Sequence, residues 1–292
     1  MKNGQSGYVP FFRKGIFFTA IIFLFMGIFF GPSYSHAATE TALVDKLIGK
    51  IVYQRPDGIY LIKVGEKSPQ HLLNYGTNPR WSPNGKQIAF VHGNAIFILT
   101  IKDGTVKQLA TAGKAKALCF FPDGKSVIFT DDKLLRQVDI KSRKIKTLLQ
   151  GEQFYEVDIA KDGKRLAATV RGLTGFKVQI FDLKSRLNRT VARGCSASIS
   201  PDGSKVTVNG KKHRILYLYD WNSLKKVGQT HAPAGKRFDN QLWSNSPQWL
   251  VSTTEGKQRD IFLHHVNSDS SFQITTSGDC DRGDLYVNKI LP

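Results

Sequence analysis

The sequence predicts an all-β protein, a six-bladed β-propeller of four-stranded antiparallel blades whose ring is closed by the C-terminal strand joining the N-terminal blade. Three observations carry the prediction. A turn-centred motif recurs at near-constant spacing, an apolar strand follows every copy, and the strand count exceeds the motif count by one.

The motif comes first. Residues 81–91 read WSPNGKQIAFV, 120–130 read FFPDGKSVIFT, 159–170 read IAKDGKRLAATV and 199–210 read ISPDGSKVTVNG. A degenerate fifth copy, WSNSPQWLVST, starts at 243, so the intervals are 39, 39, 40 and 44 residues. Proline presets φ, Asn or Asp follows, and Gly accepts the positive φ that other residues resist, so each copy is a hairpin joining two strands. A β-sandwich also uses many short strands, but it does not repeat one turn at a fixed interval.

The third strand of each blade is the second signal: IFILTI at 96–101, LRQVDI at 135–140, VQIFDL at 178–183, LYLYDW at 216–221 and IFLHHV at 261–266. A polar turn such as 102–104 and a short fourth strand such as VKQLA at 106–110 complete the blade. One more third strand, IYLIKV at 59–64, precedes the first motif, and IVYQ at 51–54 aligns with IAFV at 88–91. The first blade therefore lacks its inner strand. DLYV at 284–287 is a lone apolar strand near the other end, and it is expected to complete that blade and remove the open edges.

The N-terminal segment has a different character. Lys2, Arg13 and Lys14 precede an apolar run at 15–30, which breaks at Gly31 and Pro32 and reaches Ser35-His36-Ala37. Sixteen apolar residues fall short of the roughly 20 that span a bilayer, and small residues at Ser35 and Ala37 suit a signal peptidase. The domain reading is therefore a signal peptide at 1–37, a lead-in at 38–49 and the propeller at 50–292. The competing reading is an uncleaved anchor.

The S-P-D-G-[KS] turn between two apolar strands, in blades of about 40 residues behind a signal peptide, resembles the WD-repeat-like propeller of TolB-type envelope proteins. The resemblance covers 50–290 and is specific for the propeller, without the N-terminal α/β domain of a full TolB protein. A complete TolB role couples the Tol system to the peptidoglycan-associated lipoprotein. The propeller resemblance implies a binding module in the envelope.

Candidate chemistry is sparse. Residues 194–198 read GCSAS, which lacks the closing glycine of G-x-S-x-G and the strand-to-helix context, so an inter-blade loop is expected there. His264 and His265 are adjacent in a strand, point to opposite faces and cannot share an ion. Asp279, Asp281 and Asp284 offer three carboxylates, fewer than Ca²⁺ requires, with Arg282 among them, so a solvated loop is expected. Cys119 reads as a buried apolar side chain. Cys195 and Cys280 precede inner strands two blades apart, and all three thiols are expected to be free.

The whole chain carries 42 Lys and Arg against 23 Asp and Glu, a net charge of +19. Much of this sits in strand-connecting turns. For an exported protein it favours an anionic envelope polymer or an acidic protein over nucleic acid.

The expected function is an exported propeller that binds or scaffolds an envelope protein or peptide, periplasmic or secreted. No enzymatic role, cofactor, metal or nucleic acid is expected, nor a membrane span after cleavage, and the protein is expected to be a monomer. The alternatives are a lactonase-like, metal-dependent hydrolase using channel-mouth carboxylates, and an accessory protein held on anionic polymer by charge. Loops joining one blade to the next gather around the channel, and 230–241 and 276–283 flank the blade whose turn has lost its Pro-Asp-Gly pattern. Arg237, Phe238, Asp239, Asn240, Asp281 and Arg282 are the expected partner contacts, with Arg237 and Phe238 as anchors.

Overall fold

The structure is a computed structural model that describes residues 43–292. The leader, its expected cleavage point and the first residues of the lead-in lie outside the described residues.

Blade 1 opens with β1 (Leu47–Arg55), β2 (Gly58–Lys63) and β3 (Gln70–Leu73). Blade 2 is β4 (Thr77–Trp81), β5 (Gln87–His92), β6 (Ala95–Thr100) and β7 (Val106–Thr111). Blade 3 is β8 (Leu118–Phe120), β9 (Ser126–Asp131), β10 (Leu134–Asp139) and β11 (Ile145–Gln150). Blade 4 is β12 (Gln153–Ile159), β13 (Arg165–Gly172), β14 (Gly175–Asp182) and β15 (Asn188–Arg193). Blade 5 has β16 (Lys205–Gly210), β17 (Ile215–Asp220) and β18 (Lys226–His231). Blade 6 is β19 (Phe238–Trp243), β20 (Trp249–Thr254), β21 (Ile261–His265) and β22 (Ser270–Gln273). The last strand, β23 (Asp281–Ile290), returns to blade 1 and pairs antiparallel with β1, giving the order β23-β1-β2-β3. The expected closure is what the chain does.

Blade 5 departs from the pattern. Its sheet has three regular strands, and the inner position is held by two isolated bridges, Cys195 to Asn209 and Ile199 to Val206. Gly194 at φ 142° and Ser196 at φ 60° break the extended run, which explains why a regular inner strand does not form here.

The repeated turn behaves as its residues dictate. Gly85, Gly124, Gly163 and Gly203 sit at φ between 64° and 71°, the left-handed region. The preceding Asn84, Asp123, Asp162 and Asp202 each accept a hydrogen bond from the amide two residues on, at 2.8–3.0 Å. Blade 6, lacking that glycine, closes its turn differently, with Ser244 Oγ accepting from the Ser246 amide at 3.0 Å.

Six apolar clusters hold the ring, one at each blade interface. Between blades 1 and 2 lie Ile59, Trp81 and Phe90; between 5 and 6 lie Leu216, Phe238 and Leu250. Between blades 6 and 1 lie Trp249, Leu263, Ile51 and Leu285, so the closing strand is part of a core and not an appendage. Each blade is a sheet with two apolar faces that only its neighbours can cover.

Candidate functional site: the central channel

Inner strands line the channel, and their shared register stacks side chains in levels. The residue before each of the five motif copies is Arg80, Cys119, Asp158, Ser198 or Leu242, and Asp284 takes the same level on the closing strand, one residue from each blade. Arg80 dominates this level. Its Nη2 lies 3.2 Å from Asp158 Oδ1 and its Nε 3.2 Å from Asp284 Oδ2, so one guanidinium joins blades 1, 2 and 4 across the channel. Burial works against the Arg80 charge, but Asp284 and Asp158 outweigh it and hold the group protonated. Burial pushes the Asp284 carboxyl above the ordinary range, and Arg80 opposes that shift. Asp284 Oδ2 also accepts the Trp81 amide at 2.7 Å, and the Trp81 indole donates to the Asp284 carbonyl at 3.0 Å.

This bridge divides the channel. On the side of the repeated turns opens a cavity of about 310 Å³ whose walls include Trp81, Phe120, Trp243, Tyr286, Pro122 and Pro201. Lys161 stands at its rim and donates to the Asn245 carbonyl at 3.0 Å. Apolar walls over a small set of buried charges are the usual make-up of a binding pocket. On the side of the inter-blade loops a crevice of about 30 Å³ is lined by Asn78, Glu156, Asn240, Gln241 and Arg282, and a separate cavity of about 480 Å³ is lined by residues that include Gln54, Thr77, Arg259 and Asp281.

The residues expected as contacts divide between these surroundings. Asn240, Asp281 and Arg282 do come together at the loop-side mouth. Asn240 Nδ2 donates to Asp281 Oδ1 at 3.2 Å, Arg259 Nη1 bonds Asp281 Oδ2 at 3.0 Å, and Arg282 borders the crevice. Asp239 is beside them, its carboxyl pushed up to about 6 by burial and by the neighbouring Asp281 charge. Arg237 is half exposed and pairs with Glu255 at 3.0 Å.

Phe238 corrects the expectation of an aromatic anchor. It begins β19 rather than ending a loop, it is fully buried, and its ring packs on His264 inside the interface of blades 5 and 6. The acidic loop also needs correcting. Asp281 and Asp284 are buried in β23, and Asp279, Asp281 and Asp284 each serve a different arginine: Arg55, Arg259 and Arg80. They form no shared cation site, and no group of three metal-ligating side chains occurs among the described residues.

His264 and His265 diverge as expected: the first bonds Ser252 and Ser271 in the core, the second bonds Ser268 at the surface. All three cysteines are free.

Sequence reasoning missed Arg80 and Asp158. The signal was present as a column: at the position preceding the motif, one arginine and two aspartates stand among residues that otherwise suit a packed strand.

Comparison with known proteins bears on both fold and function. Residues 47–123, from β1 through the turn after β8, match the family model for the dipeptidyl peptidase IV N-terminal region. A relative in Bacillus subtilis strain 168, named as the uncharacterized peptidase YuxL, is 32% identical over 109 residues. That match takes in 34% of this chain and 16% of YuxL, so the chain spans about a sixth of that relative's length. TolB from Acinetobacter baumannii superposes with a TM-score of 0.68 at 20% identity, over 81% of this chain and 66% of that one. A chain described as a TolB of Agrobacterium tumefaciens gives 0.61 at 12% identity, over 82% and 98%. At these identities the likeness is one of fold, and it bears out the resemblance to the TolB-type propeller. The peptidase matches overturn the expectation of no enzymatic role: residues 47–123, within the first three blades, match the N-terminal region of a peptidase family, and a curated relative carries a peptidase name.

Proposed function

We propose that this protein is an exported propeller that binds polypeptide, taking an extended segment of a partner into the turn-side cavity. The observation that carries this reading is the cavity itself: aromatic and proline walls over a floor of one arginine between two carboxylates. Both hydrogen bonds that Asp284 accepts through its side chain fall on Oδ2. A peptide N–H reaching the floor finds Oδ1 as acceptor, while apolar side chains of the segment meet Trp81, Phe120 and Trp243. The two lines of likeness agree on ligand class, since the TolB-type fold suggests a protein-binding module and a peptidase acts on polypeptide. The leader at 1–37 supports export and thus an envelope or extracellular partner.

A library of short displayed peptides selected against the protein tests the reading. Peptides that bind above background are expected, Tyr286→Ala with Lys161→Glu should weaken them at least tenfold, and the rim substitution Lys161→Glu alone should weaken them without lowering the melting temperature. A library that yields no binder sinks the proposal. If instead substitution of Arg237 and Arg282 by Ala abolishes binding and the cavity pair has no effect, the site lies at the loop-side mouth.

A further inference from the structure

Three side chains on the loop side of blades 5 and 6 form a relay that polypeptide binding in the cavity does not use. Cys195 Sγ lies 3.9 Å from His213 Nε2, and His213 Nδ1 lies 3.5 Å from Glu255 Oε2. Arg237 Nε pins the same carboxylate oxygen at 3.0 Å. The order is thiol, imidazole, carboxylate, with the two imidazole nitrogens facing different partners. That is the arrangement by which a base accepts a proton from a nucleophile while a third group fixes the ring. The thiol–imidazole separation is at the loose end of hydrogen-bond reach, and the imidazole and carboxylate lie within ion-pair distance without a formed hydrogen bond.

The local backbone serves this convergence. Cys195 occupies the broken inner strand of blade 5, between Gly194 at φ 142° and Ser196 at φ 60°. His213 ends the short 3-10 turn Lys211–His213 at the tip of the β16–β17 hairpin, where Lys212 and His213 take φ 57° and 62°. Glu255 follows β20 in the next blade. Non-glycine residues in this region of φ are uncommon, and here they flank the thiol and carry the imidazole.

The group is also reachable. His213 and Glu255 side chains are 37% and 35% exposed, and Cys195 is half-buried. Cys119 and Cys280 are buried. Cys280 has Ser277, Asp279 and Thr275 as side-chain partners, and none of them is a histidine.

We propose that Cys195 is a nucleophile that takes acyl groups from esters or thioesters, with His213 as its general base and Glu255 as the residue positioning His213. Burial holds the thiol up at about 11, so it rests protonated and must lose its proton during attack. In the first step Sγ bonds to the carbonyl carbon as its proton passes to His213 Nε2. The bond to the leaving oxygen or sulfur then breaks, and His213 returns the proton to that atom. In the second step His213 takes a proton from water, the hydroxide oxygen bonds to the carbonyl carbon, and the thioester C–S bond breaks. The proton goes back to Sγ, leaving a free carboxylic acid. No oxidant, reductant or further reactant is needed.

The test uses p-nitrophenyl acetate as the acyl donor. Nitrophenol release gives the rate and mass spectrometry of peptides locates the acetyl group. The wild-type protein is expected to acetylate Cys195 ahead of Cys119 and Cys280, and His213→Gln to slow that acetylation by about 100-fold. Glu255→Gln should lower the maximal acylation rate without changing the half-saturating concentration of the probe. A merely structural role for Glu255 predicts a lowered melting temperature with no such split. Absence of acetyl on Cys195 in the wild type, or equal acetylation of Cys195 in the His213→Gln protein, overturns the proposal.

Discussion

Asp239 is where a single residue's environment has a measurable consequence. Partial burial, with the neighbouring Asp281 charge, pushes its carboxyl up to about 6, above the ordinary value of 3.8. Between those values the folded protein keeps a proton that the unfolded chain has released, so stability falls as pH rises through the window. At pH 7 the full cost is present, on the order of 2–3 kcal/mol. Replacing Asp239 by Asn removes the charge and keeps the shape. Urea midpoints should therefore rise by an equivalent amount at pH 7 and stay unchanged below about pH 4. Equal midpoints at both pH values would mean the carboxylate is solvated. Asp239 and its neighbours were legible in the sequence as a group, because they flank the blade with the altered turn. The burial of Phe238 was not. FDNQLW at 238–243 has no two-residue alternation, and β19 carries a register shift between Phe238 and Gln241, so the strand start left no periodic mark.

At the scale of elements, His264 shows how a buried polar group ties strands together. It lies in β21, fully buried, with Nε2 2.6 Å from Ser252 Oγ in β20 and Nδ1 2.8 Å from Ser271 Oγ in β22. A neutral imidazole has one donor and one acceptor, and two hydroxyls complement it in either tautomer. Burial pushes its pKa down to about 4, with the Asp269 charge opposing. Here the folded value lies below the unfolded one, so the stabilisation is whole above about 6.5 and is lost as pH falls towards 4. His264→Ala should cost about 3 kcal/mol at pH 7, through the lost side-chain volume and two stranded hydroxyls. The cost should shrink as pH falls from 6.5 to 4, and thermal melts across that range would reveal it. A cost independent of pH would place the titration elsewhere. The turns of the other blades were fully legible, since an Asn or Asp side-chain oxygen accepting from an amide two residues on is chemistry within one hairpin. The Arg80 bridge was harder to read, because its carboxylates lie 78 and 204 residues away in sequence. Only alignment of the blades puts the three in one column.

The whole molecule depends on one late strand. β23 pairs with β1 from Leu47 to Gln54, supplies Leu285 to the core between blades 6 and 1, and packs the Tyr286 ring at a tilt against Trp81. Through Asp284 it also holds half of the Arg80 bridge. Closure was legible because one blade lacked a strand and one strand lacked a blade. The electrostatic part was not, because it needs three blades to be in place at once. Deleting 284–292 would uncover the edge of β1, expose an apolar interface and leave Arg80 facing Asp158 alone. A frayed terminus costs a few tenths of a kcal/mol, whereas loss of this strand should lower the melting temperature by more than about 10 °C or cause aggregation. The ring topology makes a further demand. A synthetic peptide of residues 281–292, added to the truncated protein, should restore soluble ring and raise its melting temperature with peptide concentration, as any ligand of the folded state does. A scrambled peptide should not. If the truncated protein melts within a couple of degrees of the full chain, or the scrambled peptide rescues it equally well, β23 does not close the ring.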